Sequence, residues 1–108
     1  MKRILHLTLI KKWFDQIARG EKKEEYREYK PYWQKRLTEL HDMFGHEGFD
    51  VIREYDEIHF RNGYGKDSPF MRVEWKGQKI GLWDGKKVFA IQLGEILEIR
   101  NWTDDFAK

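Results

Sequence analysis

Apolar and polar residues alternate from Ile4 to Ile10, with Leu5, Leu7 and Leu9 on one side and His6 and Thr8 on the other. A period of two is the mark of a half-buried strand. The period changes at Lys11. Trp13, Phe14 and Ile17 then form an apolar stripe at helical spacing, which predicts a short amphipathic helix from Lys11 to Arg19. Gly20 supplies the C-terminal cap for that helix. Pro31 to Leu40 reads as a second helix. Its proline suits the first turn, and Tyr32, Trp33, Leu37 and Leu40 share one broad face.

The second half of the chain alternates again. Ile58 and Phe60 oppose Glu57, His59 and Arg61 in a strand over Tyr55 to Arg61, which ends in the Asn62-Gly63 turn. Tyr64 to Pro69 reads as a loop. Phe70 to Lys76 reads as a strand that stops at Gly77. Gln78 to Trp83 and Val88 to Leu93 form a hairpin around Asp84-Gly85. Gly94 interrupts the alternation as a bulge, and Glu95 to Arg100 resumes it. Trp102 and Phe106 are placed to fasten the tail. His41 to Tyr55, with Gly45 and Gly48, reads as a loop with short helical turns. The sum is one domain over residues 1–108, a β-rich α+β fold. Its expected form is a small barrel or curved sheet with two short helices near the N-terminus.

One stretch fits neither period as a core element. Arg19 to Lys30 holds five basic residues and four Glu. As a helix it would place Glu21/Glu25, Lys23/Arg27 and Glu24/Glu28 at i,i+4, where like charges repel. A charged strand after Gly20 is expected instead. On a strand Glu25 and Arg27 share a face, and Lys22, of opposite parity, joins them only from the loop or across a bulge. A Lys, a Glu and an Arg gathered on a concave face offer donors to an anion or a carbonyl. The Glu would orient the Arg or accept from a base edge.

Gly20, Lys22, Glu25 and Arg27 fit the pattern G-x-K-x-x-E-x-R, which resembles the signature of the ASCH domain, a PUA-like family. The strand and helix before it fit as well, and the likeness covers residues 3 to 100. Arg61-Asn62-Gly63-Tyr64 resembles a feature of a small bacterial or phage-borne branch. The resemblance implies a mixed β-barrel that holds RNA or a nucleobase-containing small molecule in a cleft. Lys22, Glu25 and Arg27 would line that cleft, and Gly20 would let the backbone turn into it. Arg61 is an added candidate for a phosphate contact, and Tyr64 for stacking a base or packing in the core.

A branch of the family hydrolyses N4-acetylcytidine with a motif resembling G-x-K-x-x-T-x-R, the Thr being the proposed nucleophile and the Lys its activator. Glu25 stands at the Thr position here and is suited to act as a base toward water. Some relatives are reported as ribonucleases, a role for which Lys22, Glu25, Arg27 and His59 offer proton-moving and charge-stabilising groups. Three functions follow: a binding module for RNA or a modified nucleoside, a small hydrolase on such ligands with Lys22 and Glu25 as catalytic residues, or a protein-interaction module.

Composition narrows the partners. The net charge is +2 and the sequence pI is about 8.8, short of the basic footprint of a tight non-specific nucleic-acid binder. Recognition is therefore expected in a local pocket. Seventeen aromatic residues, five of them Trp, serve core packing and base stacking alike. With no cysteine, disulfides and Cys-based zinc sites are excluded. His41, Asp42, His46 and Glu47 match no metal motif by spacing, so no metal or cofactor is expected. The apolar run after Arg3 stops at Ile10, and no run is long enough to span a bilayer. A cytoplasmic location without membrane contact is expected.

Overall fold

The computed structural model describes residues 2–41 and 49–104. The elements run β1 (Ile4–Thr8), α1 (Lys11–Ala18), β2 (Glu24–Glu28), α2 (Pro31–Leu37), β3 (Thr38–His41), β4 (Phe49–Ile52), β5 (Glu57–Arg61), β6 (Phe70–Trp83) and β7 (Lys86–Arg100). Five strands form a sheet in the order β1-β5-β6-β7-β2, and β3 pairs with β4 in a separate ribbon. β1 and β5 are parallel, and the other pairs are antiparallel. The sheet curls into a half-barrel, so the fold is α+β and β-rich. No described helix is long and apolar enough to cross a membrane.

The curl has a local cause. Between Val73↔Ile96 and Trp75↔Leu93 the longer step falls on β7, at Gly94 and Glu95. Between Trp75↔Leu93 and Gly77↔Gln92 the extra residue is Lys76 on β6. Each bulge bends its strand and adds twist. Gly94 is required where it stands. A Cβ there would lie 2.6 Å from Glu74 Oε1 and 2.8 Å from Lys76 Cε. At the far end of the arm Asp84 and Gly85 both have positive φ, as the expected two-residue turn demands.

Three expectations are corrected. β6 does not stop at Gly77 but passes through it at φ +124°, because the bulge absorbs the glycine. The second helix ends at Leu37, not Leu40. Thr38 turns its hydroxyl back to the Gln34 carbonyl and adopts an extended backbone, from which β3 begins. The segment read as a loop with helical turns, His41 to Tyr55, supplies β4 and the last residue of β3, because backbone pairing outweighs its weak pattern. Residues 42–48, which carry Asp42, His46 and Glu47, and Phe106 lie outside the described residues.

The core is continuous. Leu5 and Leu7 of β1, Phe14 and Ile17 of α1, Ile58 and Phe60 of β5, and Phe89 and Ile91 of β7 are buried together. They are the residues that alternation and the helical stripe point inward. Trp102 anchors the tail by donating its Nε1 hydrogen to Asp15 Oδ1 at 2.9 Å.

Candidate functional site

The route from α1 into β2 is fixed by a Schellman turn. Gly20 has φ +78°, its N–H donates to the Ile17 carbonyl, and the Glu21 N–H donates to the Gln16 carbonyl, both at 2.9 Å. A glycine is needed at such a left-handed cap. The turn releases the chain at Lys22, just ahead of β2. Lys22 thus meets Glu25 from the connecting segment, while Glu25 and Arg27 project from β2 itself.

Glu25 is only 4% exposed. Its Oε1 accepts the Tyr26 N–H at 2.9 Å and lies 3.7 Å from Lys22 Nζ. Its Oε2 lies 3.2 Å from Arg27 Nη1, yet this oxygen is buried and accepts no hydrogen bond among the described residues. Arg27 donates from Nη1 to the Tyr26 carbonyl at 2.9 Å and from Nη2 to the Thr8 carbonyl at 3.4 Å. A buried carboxylate oxygen without a hydrogen bond is costly. Two cations and one carboxylate leave this floor with one net positive charge.

Aromatic rings hold both cations. Lys22 Nζ lies between the Trp13 ring at 4.8 Å and the Tyr26 ring at 5.0 Å. The Arg27 guanidinium lies over Trp33 at 5.1 Å. Tyr26 packs on Trp83 at 5.3 Å. Burial, followed by the nearby Glu24, raises the Tyr26 pKa. The Lys22 ammonium makes no hydrogen bond among the described residues, so it keeps donors for a ligand.

These side chains line a cleft of about 730 Å³. Its position follows from strand order. β1 and β2 are the two free edges of the curled sheet, and the cleft is the gap between them. Consecutive residues of both strands reach it, Leu7 and Thr8 from one side and Glu25, Tyr26 and Arg27 from the other. An edge strand, with no neighbour on its free side, can present both of its faces in this way.

Of the sequence candidates, Lys22, Glu25, Arg27 and Tyr64 line the cleft. Tyr64 is 92% exposed, which leaves it no part in core packing. Gly20 stands behind the floor and acts through the turn. Arg61 and His59 are not among the lining residues. Trp13 was expected in the core stripe, and Trp83 only as a hairpin residue. Both are cleft walls. Trp83, 61% exposed beside the turn, is the kind of apolar side chain that an alternation pattern alone assigns inward.

His59 belongs to a separate charge cluster. Its Nε2 lies 3.1 Å from Glu57 Oε1, which also accepts from Arg72 Nη1 at 2.8 Å, while Lys2 Nζ holds Glu57 Oε2 at 2.6 Å. Hydrogen bonds from Lys2, Arg72 and His59 hold the buried Glu57 carboxyl down at about 2. His6 meets His59 edge-on at 5.3 Å. Burial, then the charges of His59 and Arg61, lower the His6 pKa.

No family model, curated protein or solved structure matches the chain. The chemistry is therefore drawn from the site. It offers cationic donors to a carbonyl or anion, a buried carboxylate able to accept N–H donors once Arg27 or Glu25 shifts, and aromatic walls for a planar ring.

Proposed function

We propose that the chain is an ASCH-type, PUA-like domain that binds RNA or a nucleobase-containing small molecule in the cleft between β1 and β2. One observation carries this. Lys22, Glu25 and Arg27 meet on a polar floor enclosed by Trp13, Tyr26, Trp33 and Trp83. A base has flat faces that stack on such rings, worth about 1–3 kcal/mol each. Its edge alternates N–H and C=O groups that meet a carboxylate and two cations. The cleft volume falls within the range usual for small ligands, about 300–1,000 Å³. With a net charge of +2, affinity for bulk RNA is weak and falls with salt.

Intrinsic fluorescence tests this, because Trp13, Trp33 and Trp83 line the cleft. Nucleosides, acylated nucleosides and short single-stranded RNA should quench the emission saturably, and Lys22→Ala should lose the response. No saturable change with any of them at millimolar concentration overturns the proposal.

A hydrolase on the same ligands is the second reading, and one observation favours it. Thr8 lines the cleft and its carbonyl accepts from Arg27, so a hydroxyl-bearing residue borders the site although the motif lacks a threonine. Incubation with acylated nucleosides and mass-spectrometric detection of deacylated product, absent in Thr8→Val, would identify that chemistry.

A further inference from the structure

The outer face of the sheet carries its residues in transverse rows. Thr8, Arg61, Phe70 and Arg100 stand abreast on β1, β5, β6 and β7, and His6, His59, Arg72 and Glu98 form the next row. Charges in the second row are matched, since Arg72 pairs with Glu57 at 2.8 Å and with Glu98 at 2.9 Å. The first row is different. Phe70 faces outward yet is only 4% exposed, because the guanidiniums of Arg61 and Arg100 lie over its ring at 4.7 and 4.4 Å. Arg100 also grips Glu98 at 2.8 Å. The Arg61 guanidinium makes no hydrogen bond and meets no carboxylate among the described residues.

An exposed arginine normally samples many rotamers and loses that freedom when it binds. Arg61 is already laid on a ring, which lowers the cost of capturing an anion. Its location is specific as well. It is the register partner of Thr8, a cleft-lining residue, and neighbouring strands are about 4.8 Å apart. His6, which also lines the cleft, adds an imidazole beside it. A ring seated in the cleft would carry its substituents out over β1 toward this point.

We propose that Arg61, with His6 beside it, forms an anion site that takes the phosphate of a ligand whose ring occupies the cleft. The second half of that statement rests on the base-in-cleft proposal above. The shared chemistry is a phosphate oxygen against a guanidinium. It has two sources, the terminal monoester of a mononucleotide and the diester of an RNA strand.

The test is an NMR titration of ¹⁵N-labelled protein, following the arginine Nε–Hε and histidine ring signals. The probes are sodium phosphate against sodium chloride of equal ionic strength, the four ribonucleosides, their monophosphates, and a tetranucleotide without terminal phosphate. Phosphate should shift the Arg61 and His6 signals, and a monophosphate should bind about tenfold more tightly than its nucleoside. In Arg61→Ala that ratio should fall to near one, with Arg61→Lys between. A tetranucleotide that shifts Arg61 identifies the diester as a source, and a response confined to monophosphates identifies the monoester. If nucleosides fail to bind while phosphate still shifts Arg61, the anion site stands and the base-in-cleft proposal falls. Equal affinity for nucleoside and monophosphate, a ratio that survives Arg61→Ala, or no response to any phosphate overturns the anion site.

Discussion

Arg27 on β2 donates to the carbonyl of Thr8 on β1, so one guanidinium spans the gap between the two free edges of the sheet. The same side chain is the nearer cation to the buried Glu25, at 3.2 Å against 3.7 Å for Lys22. Arg27→Ala therefore removes a strut and leaves the buried carboxylate with the more distant Lys22 as its cation. The expected loss is about 3 kcal/mol, or a melting temperature lower by about 15 °C. Adding Glu25→Gln should recover part of that loss, because the uncompensated charge goes with it. A loss under about 0.5 kcal/mol in the single variant, within the range of ordinary surface changes, would show that water already solvates Glu25.

Lys22 separates packing from chemistry. Its ammonium lies between the Trp13 and Tyr26 rings and keeps its hydrogen-bond donors for a ligand. Lys22→Met preserves the bulk and removes the donors. Stability should change by less than about 1 kcal/mol, while affinity for a nucleobase ligand should drop about tenfold or more. Fluorescence titration beside a urea melt reads both. Unaltered affinity in Lys22→Met would reduce this lysine to a spacer.

Glu57 governs acid stability. Its folded-state pKa is about 2, below the ordinary 4.5, so it favours the folded state above about pH 4.5, and that contribution is lost as pH falls toward 2. The full shift corresponds to about 3 kcal/mol, and the 66% exposure of the Lys2 side chain lowers the expected contribution to about 2 kcal/mol. Urea midpoints at pH 6, 4 and 2 should fall steeply in the parent and less in Glu57→Gln. Parallel slopes would place the acid sensitivity elsewhere.

Gly94 is a steric test of the bulge. Its missing Cβ leaves room for Glu74, whose Oε1 accepts the Glu95 N–H at 3.2 Å. Gly94→Ala should cost about 1–3 kcal/mol through overpacking, whereas Gly81→Ala, with nothing within 4 Å of the added atom, should cost less than about 1 kcal/mol. Equal melting temperatures for the two would mean that Glu74 swings away freely.

The elements most legible in sequence were those with a clean period. Leu5 and Leu7, Phe14 and Ile17, and Ile58 and Phe60 point inward as their spacing demands. Gly20 announced the cap, and Asp84-Gly85 the hairpin. The charged strand was legible for a different reason, that its i,i+4 pairs repel in any helix. Strand order was not legible. Nothing local says that β1 pairs with β5 across more than fifty residues, and that pairing makes β1 an edge and opens the cleft. The aromatic walls were hidden by the same gap. Trp13 sits on a core stripe, and only the tertiary arrangement shows that Lys22 lies over its ring.

A half-barrel that does not close keeps two strand edges, and free edges invite a second copy to add on. β2 carries four charged residues in five, Glu24-Glu25-Tyr26-Arg27-Glu28, and a neighbour could not pair with it without desolvating them. On the opposite edge the carbonyls of Thr8 and Leu9 are already taken, by Arg27 and by Asn62 Nδ2 at 2.9 Å. Glu25 and Arg27, which shape the cleft, thus also stand where an added strand would have to pair. Neutral substitutions across β2 would test solubility and recognition at once.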